Sequence, residues 1–274
     1  MSTRNKFGVF KAGLIVVLSA LPAISFAVHS WGGYHWANEL NPASSPFTIQ
    51  LGNNVSATWQ PFLYTASNDW SVSNRLDASV GTGGVANTKR CKPTAGRVEV
   101  CSNSYGNNGW LAIAQVWLSG LHITQGAVKL NDTYFKTAKY NKAGWRNLVM
   151  CQEIGHTFGL DHQDEIFANA NLGTCMDYTD DPDGTIKTQL SNEHPNKHDY
   201  DQLEAIYSHA DGAASAQTAS RGAPSATGEA SRSTGIGTAE WGRLIRSTNG
   251  GRTERFELDL GNGQKVVTFV IWAR

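Results

Sequence analysis

Five residues in one short stretch have the types and spacing to do chemistry. Gln152, Glu153, His156, Gly159 and His162 fall within Val149-Met150-Cys151-Gln152-Glu153-Ile154-Gly155-His156-Thr157-Phe158-Gly159-Leu160-Asp161-His162. On a helix, residues 152 and 156 lie one turn apart on one face, with Glu153 beside them. Gly159 is free to adopt φ > 0, so it can end that helix and return His162 to the same point in space. Two imidazoles and a carboxylate around one point suit a zinc ion and a water to be activated. A reading without metal makes His156 and His162 satisfied core histidines.

The element that must carry these residues is a helix beginning after Asn141, a good N-cap. Trp145, Leu148 and Val149 lie on one side of it, and Met150, Ile154 and Phe158 on the other. A helix apolar all round is a buried one. Burying Glu153 and two histidines then needs a reason, and a metal supplies one.

The segment resembles the signature H-E-x-x-H-x-x-G-x-x-H of the metzincin zinc metalloproteases, closest to its matrixin version. It matches at Glu153, His156, Gly159 and His162, and departs at the first ligand, which is Gln152. The resemblance implies a secreted zinc-dependent endopeptidase acting on protein or peptide. In the family, Glu153 would take a proton from a zinc-bound water that attacks the peptide carbonyl, with His156, His162 and Gln152 as the metal residues. Gln152 offers a neutral amide oxygen, a harder and weaker zinc donor than imidazole. Three outcomes follow: Gln152 ligates, another group such as Asp164 or His194 or a water completes the site, or the protein binds peptide or a partner without cleaving it.

Downstream, Gly173-Thr174-Cys175-Met176-Asp177-Tyr178 resembles the family's Met-turn. The resemblance makes Met176 the floor beneath the metal and Tyr178 a displaceable ligand or oxyanion helper. Taken alone, both would be core residues. Asp177, Asp180, Asp181 and Asp183 crowd one loop, where a calcium ion or a solvated turn are both open, though EF-hand spacing is absent. His194 and His198 read as surface residues or as the start of the next helix.

Around this centre, Trp31, Tyr34 and Trp36 mark an opening strand, and residues 46–51 a second. Residues 56–71 read as an amphipathic helix with Trp59, Phe62, Leu63, Ala66 and Trp70 inward, and residues 81–84 as a glycine-rich loop. Strands follow over 97–101, 110–117 and 120–130, the last an exposed edge, and a final helix over 197–210. This order resembles a metzincin catalytic domain: α+β, a mixed twisted sheet with an active-site helix, a Met-turn and a C-terminal helix. By that analogy Gln125, Gly126 and Ala127 would lie along the substrate cleft, binding peptide backbone by strand addition. Residues 211–235, rich in Ala, Ser, Gly and Thr, read as a flexible linker. Residues 236–274 read as a small β-meander with turns at Asn249-Gly250-Gly251 and Gly261-Asn262-Gly263.

Composition limits the rest. The chain has 274 residues, 23 Lys plus Arg against 23 Asp plus Glu, and only 17% charged residues, so nothing points to nucleic acid or an anionic membrane. Residues 1–27 read as a secretory leader: Arg4, Lys6 and Lys11, an apolar run from Ala12 to Ile24, and small residues up to Ala27. The expected location is extracellular or periplasmic, without membrane attachment after cleavage, and the expected state monomeric. Four cysteines suit that compartment: Cys91, Cys101, Cys151 and Cys175. They allow three pairings, of which Cys91–Cys101 with Cys151–Cys175 closes two short loops. A Met-turn lying under the active helix is a second reason for the latter pair. With no cysteine between residue 27 and the first strand, a matrixin-style inhibitory propeptide is not expected.

Overall fold

The computed structural model describes residues 1, 29–37, 46–208, 238–248 and 250–273. The leader expected over residues 1–27, apart from Met1, and the linker expected over 211–235 lie outside them.

In chain order the described elements are β1 (His35–Trp36), β2 (Phe47–Asn54), α1 (Gln60–Trp70), β3 (Leu76–Thr82), β4 (Arg97–Asn103), β5 (Trp110–Ser119) and β6 (His122–Asn131). Then come α2 (Asp132–Phe135), α3 (Ala143–Thr157), α4 (Lys197–Tyr207), α5 (Thr238–Trp241), β7 (Arg243–Thr248), β8 (Thr253–Gly261) and β9 (Gln264–Trp272). The architecture is α+β. Nine described strands form one mixed sheet, ordered β3-β2-β4-β6-β5-β9-β8-β7, with β1 added to β6. Strands β3, β2, β4 and β6 run parallel, and β5 is antiparallel to β6. The meander β7–β9 does not stand apart, because β9 pairs antiparallel with β5 along its length, from Trp110↔Trp272 to Ser119↔Gln264.

That topology corrects one expectation. Strand β6 is not an edge: β4 holds it on one side and β5 on the other, which places Gln125, Gly126 and Ala127 inside the sheet. Its polar positions Thr124, Gln125 and Lys129 are exposed or half-buried, so the alternation reports a partly open face and not a missing neighbour. Strand β3 was not expected, although Leu76, Ala78 and Val80 alternate with Asp77 and Ser79, and it pairs with β2 over seven positions.

The largest core cluster lies between the sheet and the helices, where α3 packs on β5 and β6 and α1 packs on α3. Trp59, the N-cap of α1, and Trp70, its last residue, are fully buried, and their indole N–H groups donate to Asp132 Oδ1 (2.7 Å) and to the Cys151 carbonyl (3.1 Å). Helix α3 starts at an N-cap of Lys142 with no side-chain cap, whereas Asn141 accepts from Arg146 Nη2 at 2.7 Å. Two disulfides are formed, Cys91–Cys101 and Cys151–Cys175. The second joins α3 to the turn containing Met176. No described helix is long and apolar enough to cross a membrane.

Candidate metal centre

Helix α3 carries Gln152, Glu153 and His156 on consecutive turns, all at most 1% exposed. The helix ends at Phe158, and Gly159 then takes φ 95°; a Cβ there would meet the Tyr34 carbonyl at 2.5 Å, so only glycine fits without strain. The turn brings the His162 ring edge-to-face with His156, ring centres 4.5 Å apart. Tyr178 lies on the other side of His162, with ring centres 4.4 Å apart. Met176 packs against the helix at Gly155: a Cβ there would lie 2.7 Å from its sulfur and equally close to the Trp70 ring. Gly155 is therefore what lets the turn approach the helix, a role that its neighbours in sequence do not advertise.

The hydrogen bonds at this centre fix which atoms face inward. His156 Nδ1 lies 2.8 Å from the Leu160 carbonyl, so Nδ1 carries the proton and Nε2 keeps its lone pair. His162 Nδ1 lies 3.2 Å from Glu165 Oε1, so Nδ1 is the donor there and Nε2 is the nitrogen left without a partner. Gln152 donates from Nε2 to the Cys175 carbonyl at 2.9 Å, which turns Oε1 the other way. Five buried acceptor atoms are then left without a donor: Gln152 Oε1, Glu153 Oε1 and Oε2, His156 Nε2 and His162 Nε2. A buried acceptor without a partner costs about 1–3 kcal/mol, more when charged. With Glu153 ionised and the imidazoles neutral, all five are lone pairs, and a cation beside them would both satisfy the set and stabilise the ionised carboxylate that burial alone disfavours. The residues present fit a zinc ion held by His156, His162 and Gln152, with Glu153 beside it.

Electrostatics follow from burial. Burial pushes the Glu153 carboxyl well above the usual carboxylate range, and holds the His156 imidazole well below its ordinary value, with the nearby His162 adding to the effect. Burial likewise raises the Tyr178 hydroxyl, which keeps it a proton donor. Burial works to raise the Asp161 carboxyl, but His162 and Arg255 outweigh it and hold the group below its usual value.

Other expected participants lie elsewhere. His194 pairs with Asp69 at 2.7 Å on the surface, and Asp164 accepts from the backbone of Ile166 and from Asn169. The four aspartates do not converge. Asp177 accepts from Leu172 N and Asn192, Asp181 from Ile186 N and Lys187 N, Asp183 from Thr185, and Asp180 pairs with Lys187. Among the described residues, the groups of three close ligand atoms are instead His29–His198–Asp199 and Asp161–His162–Glu165. The latter is already neutralised by Arg255 on Asp161 and Arg246 on Glu165, each at 2.7 Å.

Several residues that shape the centre carry no signal in the sequence. Phe269 of β9 lies flat on His156, with ring centres 4.1 Å apart and planes 7° apart. Thr253 of β8 lines a pocket with His162 and Phe269. Ile271 and Trp272 line a pocket with Leu111, Tyr140, Leu148 and Gln152, and leave about 10 Å³ of it open.

No family model and no curated protein matches the chain. Among solved structures, it is similar to high choriolytic enzyme 1, a hatching enzyme zinc-protease from Oryzias latipes (medaka fish). The identity is 11% and the TM-score 0.35, over 63% of this chain and 94% of that one, a likeness too slight to bear on fold or activity.

Proposed function

We propose that this chain is a secreted zinc-dependent peptidase whose centre is Gln152, Glu153, His156, His162 and Tyr178. The observation that carries the reading is the set of five buried lone-pair atoms without a donor, all on residues of one helix and the turn that follows it. Glu99, no less buried, is the contrast. It meets Arg97 Nε at 3.1 Å, Asn54 Nδ2 at 2.6 Å and the Gly84 N–H at 3.2 Å, as a structural carboxylate should. Glu153 has nothing comparable.

A bound zinc ion would polarise a peptide carbonyl and acidify a water. The residues of the chain do the rest. Glu153 accepts the proton of the attacking water at a carboxylate oxygen and returns it to the leaving nitrogen. Leu160 and Glu165 hold the two imidazoles in the tautomer that turns Nε2 inward. The Tyr178 hydroxyl donates to the carbonyl oxygen as charge gathers there.

A second reading, a peptide binder that does not cleave, is favoured by one residue, Gln152 in place of an imidazole. Zinc content per chain separates the two, measured on protein purified without added metal beside Gln152→Ala. About one zinc in the wild type and far less in the variant supports the peptidase, to be followed by casein hydrolysis with and without chelator. No zinc in either overturns it.

A further inference from the structure

In the described structure nothing can reach the proposed centre. Gln152, Glu153 and His156 are at most 1% exposed and His162 is 8% exposed. An endopeptidase needs an extended substrate backbone beside its metal, and what lies there is the chain's own C-terminal strand. We propose that β9 is a built-in occupant of the peptide cleft, lying on β5 as an extended substrate would and holding the protein latent until the β7–β9 meander swings away. The inference rests on the peptidase reading for what the cleft does, but not for what fills it.

Four observations support it. First, β5 is the antiparallel strand at the end of an otherwise parallel set, so without β9 it is an edge that takes a peptide by strand addition. Second, β9 supplies side chains where a substrate would. Phe269 covers His156, while Ile271 and Trp272 form part of the wall of the pocket beside Gln152. Third, Thr253 of β8 and Phe269 of β9 line one pocket with His162, so the meander also closes on the side of the metal histidine. Fourth, a charged latch holds the meander from outside: Arg255 to Asp161 and Arg246 to Glu165, both at 2.7 Å. Asp161 precedes His162 and Glu165 orients its ring, so the latch closes on the loop that carries the metal histidine. The occupant belongs to the same chain, so its binding is intramolecular and a free peptide competes with it at a disadvantage.

The test uses the full chain, zinc-loaded. Arg246→Glu with Arg255→Glu sets like charges against Asp161 and Glu165 and should release the meander. Gln115→Cys with Thr268→Cys, added to that background and oxidised, ties β9 to β5 at a register pair whose side chains already touch at 3.3 Å. The probes are a fluorescent peptide with the sequence of residues 264–272, hydrogen exchange of the β5 amides, and casein hydrolysis. We expect the released variant to bind the peptide at least tenfold tighter than wild type, to lose protection on β5, and to cut casein at least tenfold faster. The cross-link should abolish all three gains. Gains that persist with β9 cross-linked would overturn the proposal, as would loss of β5 protection without peptide binding or equal behaviour of wild type and released variant. Peptide binding gained without hydrolysis keeps β9 as the occupant and removes the peptidase reading instead.

Discussion

Glu99 and Glu153 are buried to the same degree and differ only in their surroundings, and that difference generates the residue-scale predictions. Glu153→Gln keeps the shape and removes the base. Hydrolysis should fall by about 10²–10⁴-fold in kcat/KM while zinc stays bound, because general-base catalysis is worth about that much. Survival of hydrolysis would remove Glu153 from the role. Gln152→His replaces a weak amide oxygen with an imidazole on the same helical face, so zinc affinity in a chelator competition should rise by tenfold or more. An unchanged affinity would mean that residue 152 does not reach the metal. Asp177 yields a pH prediction. Burial raises its carboxyl to about 6, above the ordinary 3.8, so the folded state binds this proton more tightly than the unfolded chain. Its stabilising share is full below about pH 4 and lost as pH rises through 6, roughly two units at 1.4 kcal/mol each, about 3 kcal/mol. Denaturant unfolding of wild type relative to Asp177→Asn should show that decline between pH 4 and 6 and a plateau above. A flat difference across the window would contradict it. At this scale the i, i+4 period and a glycine turn, which are local rules, were enough to bring His156 and His162 together in expectation, and their ring centres lie 4.5 Å apart in the structure. Phe269, Arg246 and Arg255 could not be named, since their partners lie more than eighty residues away and no local period reports them.

At the scale of elements, α3 and the turn around Met176 act as one unit. Cys151–Cys175 ties them covalently, the Gln152 amide binds the Cys175 carbonyl, and Gly155 lets the methionine sulfur sit against the helix backbone. A methyl group at residue 155 would meet both Met176 and the buried Trp70 ring, so neither can give way cheaply. Gly155→Ala should therefore destabilise by about 1–3 kcal/mol, the usual cost of overpacking, despite the better helix propensity of alanine. A rise in Tm would show that the turn is looser than its contacts indicate. Element types were legible wherever a period ran long, as in α1, α3 and α4. Asn196 and Asp199 complete a capping box at the start of α4 that the sequence around Pro195 spells out. Pairing partners were not legible. Strand β6 alternates like an edge, but it is flanked on both sides because register and neighbour choice are set by long-range packing rather than by the strand's own residues.

On the scale of the whole molecule, one sheet unites segments that composition separates. The polar stretch over 211–235 marks a boundary in sequence, while β9 crosses it in space and completes the sheet beside β5. That joining has a consequence for how the protein folds. Gln115 and Thr268 are partners across 153 positions of sequence, so this contact carries a high loop-closure cost and forms only once residue 268 has been made. Until then the apolar β5, with Leu111, Ile113 and Val116, is an unpaired border during synthesis, open to wrong strands from neighbouring chains. Once β9 closes on it, the outermost strand at that end of the sheet becomes β7, whose Arg243 and Arg246 are the kind of exposed charge that discourages edge-to-edge association.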